Sequence, residues 1–94
     1  MQRQKPQVKL EDWAVVPEKQ RGKYQDLRPG NLLVGRAFGH PRIQEGVFIF
    51  SSPITSFDAD TGTAETKNTC YRLGRVSREY QAFTRALTGE QSAA

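Results

Sequence analysis

NLLVGRAFGHPRIQEGVFIFSSPITSF, residues 31–57, decides how this chain folds. Leu32, Val34 and Phe38 share one set of alternate positions, interrupted by Arg36, and Leu33, Gly35, Ala37 and Gly39 occupy the other. Alternation with period two marks a strand, because successive side chains leave a pleated backbone on opposite faces. The small residues of the second set let another element pack closely. GHPR, residues 39–42, then reverses the chain. Val47, Phe48, Ile49 and Phe50 are apolar on both faces, the pattern of a strand with neighbours all round, so they read as mainly structural. Should one face of that strand stay uncovered, it becomes a surface for a partner or for a second copy of the chain. Pro53 has no N–H to give to a ladder, which predicts a bulge, a bend or an edge there.

Working outward, DADTG at 58–62 reads as a hairpin loop, and TAETKNTCYRL at 63–73 alternates as one half-exposed strand. SREYQAFTRALTG at 77–89 has helical spacing. Ser77 stands at the N-cap, Tyr80, Phe83 and Leu87 form one stripe, and Gly89 is the stop. On the other side, VKLEDWAVVP at 8–17 ends in proline and reads as an extended segment, followed by a polar connection with a Pro29-Gly30 turn. The fold class is therefore α+β: a small antiparallel β-meander, or a partly closed β-barrel, with a C-terminal helix. Residues 1–7 read as a disordered basic N-terminus, 8–88 as a single α+β domain and 89–94 as a disordered tail.

Composition agrees with one small core. The chain has 94 residues, 36% of them hydrophobic, and a net charge of +4 whose surplus lies within residues 1–45. A modest positive excess suits an acidic protein partner, a nucleic acid or an anionic small molecule. Cys70 is the single cysteine, which removes an internal disulfide and fits a reducing cytoplasm. The polar start MQRQKPQ has no apolar signal core, and the longest apolar run, VFIF, is far too short to span a bilayer.

Metal and catalytic signatures are weak. Taking Asp58 as the first ligand of a calcium loop puts Thr63 where a glycine belongs and Thr69 where a bidentate glutamate belongs. His40 and Cys70 lack the further ligands of a metal site and the orienting third group of a nucleophilic pair. Neither metal nor cofactor is expected, nor an enzyme.

VGRAFGHPR, SSPITSFD and YRLG together resemble a group of short β-rich proteins of bacteria and their phages that share a G-H-P-R turn and a Y-R-L-G strand end. The resemblance covers Leu32 to Gly74 and assigns no activity to any residue. It implies an accessory protein that acts by binding a larger machine.

Three strands running up, down and up would bring the GHPR turn and the RLGRVSR exit to one end, with Asp58 and Asp60 at the other. His40, Arg42, Arg72, Arg75 and Arg78 would then surround the helix start at Ser77, whose unpaired amides favour an anion. The functional expectation is a non-enzymatic binding module, inhibitory or accessory, docking to a protein through this basic pole. The alternative is a nucleic-acid-binding protein that places the same arginines on phosphates. A homodimer is compatible with either; a membrane is not expected.

Overall fold

The computed structural model describes residues 5–19 and 23–88, with the side chains of residues 87 and 88 left out. Five strands, β1 (Gln7–Val16), β2 (Leu32–Phe38), β3 (Val47–Asp58), β4 (Thr63–Thr66) and β5 (Cys70–Leu73), precede one helix, α1 (Arg78–Thr88). Each strand pairs antiparallel with the next. β1 also pairs in parallel with β5, so the hydrogen-bonded order closes on itself. The expected α+β meander with a C-terminal helix is present. Among the described residues, no helix is long and apolar enough to cross a membrane.

The centre of the sheet is filled from alternate positions. Val8, Leu10 and Val15 of β1, Leu33 and Ala37 of β2, Ile54 of β3, Ala64 of β4 and Tyr71 of β5 are all buried. Burial pushes the Tyr71 hydroxyl above its ordinary value.

One irregularity shapes everything outside this core. Between Glu11 and Ala14, β1 carries one more residue than β2 opposite it, a β-bulge, with Asp12 in the left-handed region at φ 52°. Aspartate tolerates that conformation better than most side chains. Gly35 accommodates the bulge: a Cβ there would lie 2.8 Å from the Glu11 carbonyl oxygen and 3.1 Å from the Trp13 Cα. Small residues in the middle of β2 thus serve the close approach their spacing suggested.

β3 bends by the same device. Its register against β2 shifts between Phe50 and Pro53, where the Ser51 hydroxyl replaces a ladder acceptor and takes the Leu33 N–H at 2.9 Å. Pro53 therefore coincides with a bulge, as its missing donor requires.

Three expectations need correction. Residues 63–73 are two strands, because the chain reverses at Lys67–Asn68, where the Thr66 N–H donates to the Thr69 carbonyl at 2.9 Å. Alternation continued through the turn and concealed it. Phe48 and Phe50 are 56% and 44% exposed rather than packed, because they face outward on a part of β3 that α1 does not cover. Finally, Lys5–Gln7 are held in place: Lys5 Nζ donates to Glu65 and to the Thr66 carbonyl, Pro6 accepts from the Cys70 N–H, and Gln7 opens β1. Residues 1–4 and 89–94, with the proposed Gly89 stop, lie outside the described residues, as does the Leu87 side chain.

Gly35→Ala should cost about 1–3 kcal/mol, since backbone on two sides must move to admit one methyl group. Chemical denaturation measures it; a variant as stable as the parent would show that the bulge does not press on β2.

Candidate functional site

The third reversal of the chain relocates the charges. β5 leaves the barrel beside the 58–62 turn, where the Leu73 N–H donates to the Gly62 carbonyl at 2.8 Å. The GHPR turn joins β2 to β3 at the opposite end. Asp58 and Asp60 thus share an end with the helix start, and His40 and Arg42 do not. Arg72 stands in β5, in register with Lys9 on one side and Thr63 on the other. Of the six residues assigned to the pole, only Arg75, Ser77 and Arg78 come together, and the pole as a whole is not assembled.

What the separated groups do is legible. His40 closes its own turn, its Nδ1 accepting the Arg42 N–H at 3.0 Å. Ser77 is the helix cap: its hydroxyl accepts the Tyr80 N–H at 3.0 Å, and Glu79 stands in the first turn. That cap answers one of the orphan donors on which an anion would sit, and the carboxylate complements the helix dipole. Arg75 and Arg78 line a shallow hollow with Asp12, Val76 and Gln81.

The bulge in β1 holds this helix start in place. Its irregular backbone turns the Trp13 N–H toward the Arg75 carbonyl at 3.1 Å and the Trp13 carbonyl toward the Ser77 N–H at 2.8 Å. The Trp13 indole adds a third bond, to the Gly74 carbonyl at 3.1 Å. From the same segment Glu11 accepts the Arg75 N–H at 2.8 Å and pairs with Lys9 at 3.1 Å. The Arg75 amide first, and then Lys9, hold the Glu11 carboxyl below its ordinary value of 4.5.

Aromatic side chains fasten the helix to the outer face of the sheet. Tyr80, 2% exposed, stacks on Phe83 with ring centroids 5.7 Å apart and meets Trp13 at 5.5 Å and Tyr24 at 5.4 Å. Its hydroxyl donates to the Gln25 carbonyl at 2.6 Å, tying the β1–β2 connection into the same cluster. Burial first, and then nearby Asp26, push that hydroxyl up to about 12. Trp13, Tyr24 and Tyr71 are half-buried or buried, which leaves little of their ring faces for stacking on a base.

Helix and connection cover the outer face of β1 and stop short of β3. Between them lies an open groove of about 360 Å³. Ala14, Val16 and Val34 form its floor, Tyr24 one wall, and Phe48 with Phe50 the other, the two phenylalanine rings set edge to face at 5.8 Å. Among the described residues its charged side chains are Asp12, Arg36 and Glu79, with Arg36 Nε 3.6 Å from an Asp12 carboxylate oxygen. Such a concave, largely apolar surface with a few polar groups is the ordinary form of a binding site. The sequence carried one signal of it: Gly46 to Phe57 is free of charge, with phenylalanine at alternate positions. Nothing local linked that run to Asp12, Tyr24 or Glu79, which tertiary structure brings across from three other segments.

Tyr80→Phe should cost about 1 kcal/mol in a denaturation experiment, because the half-buried Gln25 carbonyl loses its donor; an unchanged midpoint would mean that the connection is not held there. For Glu11 the folded carboxyl titrates below the unfolded one, so its contribution is complete above pH 4.5 and is lost as the pH falls through the lowered value. Glu11→Gln should be less stable than the parent at neutral pH and should lose less stability on acidification. Equal acid sensitivity in the two proteins would contradict that role.

Compared with known protein families, curated proteins and solved structures, the chain matches none.

Proposed function

We propose that this chain is a non-enzymatic docking module that receives an apolar segment of a partner protein in the groove between α1 and β3. The single observation that carries this reading is the exposure of Phe48 and Phe50 beside a floor of buried aliphatic side chains. Phe48 and Phe50 are each about half exposed, so burying the remainder would return about 1 kcal/mol for each. A partner that covers them recovers that free energy, and large aromatic anchors dominate the energetics of most interfaces.

Protein docking therefore remains the preferred mode of action, with its place moved from the basic pole to the groove. An accessory or inhibitory role follows the same logic, since a small domain without catalytic chemistry acts by occupying a surface of something larger. The nucleic-acid alternative is less well supported, because its six residues are divided between the two ends of the barrel and its flank. A helix start already capped by Ser77 is also a weaker anion site.

The two readings differ in their response to salt. Phosphate contacts release counterions and weaken steeply as salt rises, whereas apolar docking changes little. Phe48→Ser with Phe50→Ser removes two half-buried rings that pack on each other and should cost about 1–2 kcal/mol, so denaturation is used to check that the variant stays folded. In affinity capture from a nuclease-treated bacterial lysate, the parent chain should retain at high salt a protein that this double variant fails to retain. Equal capture by parent and variant, or capture abolished by nuclease, would overturn the proposal.

A further inference from the structure

The groove's own chemistry narrows what it accepts. Its floor and walls are apolar, and among the described residues the charged side chains lining it are two carboxylates and one guanidinium. This local balance is the reverse of the chain's, which is +4 overall. Asp12 and Arg36 are about half exposed, and their 3.6 Å separation is longer than the 2.7–2.9 Å typical of a strong charge-assisted hydrogen bond. Glu79 is exposed, at the start of α1, on the same groove. Arg75 and Arg78 belong to a separate hollow that shares Asp12.

Asp12 owes its place to the backbone. The bulge holds it at φ 52°, a conformation unusual for any residue with a side chain, and bulges commonly re-aim a side chain beside a binding site. A residue kept in such a conformation at the rim of an open groove is a candidate for recognition.

We infer that the groove selects partner segments in which apolar side chains stand next to a lysine or arginine, the cation being received by Asp12 and Glu79. This inference rests on the docking function proposed above and adds the chemistry of the partner. The apolar side chains cover Phe48, Phe50 and the aliphatic floor. The cation meets Glu79 and exchanges with Arg36 for Asp12. Complementary charge of this kind sets which partner is chosen more than how tightly it is held.

The test is selection of displayed random peptides on the full-length chain, in parallel with Phe48→Ser/Phe50→Ser, Asp12→Asn and Glu79→Lys. Peptides joining apolar residues to lysine or arginine should be enriched on the parent. The basic preference should weaken on Asp12→Asn and turn toward aspartate or glutamate on Glu79→Lys. Asparagine tolerates the left-handed conformation as aspartate does, and the exposed Glu79 position gives a second, independent arm of the test. Apolar peptides without a basic preference would overturn this inference and leave the docking function standing. No enrichment on the parent beyond that on Phe48→Ser/Phe50→Ser would overturn both.

Discussion

The extra residue that β1 carries between Glu11 and Ala14 is the constraint on which the outer half of the molecule depends. Inside the barrel its effect is local: Leu10 and Val15 both remain buried, and Gly35 gives way to the displaced backbone. Outside, it frees both main-chain groups of Trp13 from the ladder with β2. These then bind the Arg75 carbonyl and the Ser77 N–H and so fix the direction in which α1 leaves the barrel. Tyr80 and Phe83 can lie against Trp13 and Tyr24 because the helix starts at that point. The groove is what remains uncovered between this helix and β3. A small change of backbone register in one strand thus determines where a surface some distance along the sheet lies open.

Much of the fold was legible in the sequence, and the reasons are particular. Period-two alternation located β2, a continuous apolar run located the start of β3, Pro53 marked a break in the ladder, and Ser77 marked the helix cap. The 63–73 segment was misread because Lys67 and Asn68 continue the alternating pattern while their backbone turns, so side-chain periodicity does not register the reversal. That one missed turn inverted the end at which Arg75 and Arg78 emerge, and the basic pole was lost with it. β1 was recognised as extended, but its two pairings, antiparallel to β2 and parallel to β5, are set by contacts that no local pattern encodes.

The candidate site was legible only in part. Phe48 and Phe50 were conspicuous as residues, yet a strand apolar on both faces reads as interior whether or not a neighbour covers it. What decides the matter is that α1 packs on β1 and not on β3, which leaves the outward face of the first half of β3 without that cover. Asp12, Tyr24 and Glu79 gave no sign of a shared role, because a bulge, a connection and a helix start bring them to one groove. Electrostatics followed the same course. The net charge of +4 suggested an acidic partner, whereas among the described residues the groove holds two carboxylates against one guanidinium.

The central claim is that the bulge in β1 fixes the start of α1 and thereby builds a wall of the groove. Native-state hydrogen exchange at the Trp13 and Ser77 amides tests it most directly, since each donates one of the bonds that join strand to helix start. Protection comparable to that of core amides such as Leu33 is the predicted result. Rapid exchange at Ser77 beside a fully protected barrel would contradict the account, because the helix would then be free to leave the sheet and the groove would have no fixed wall.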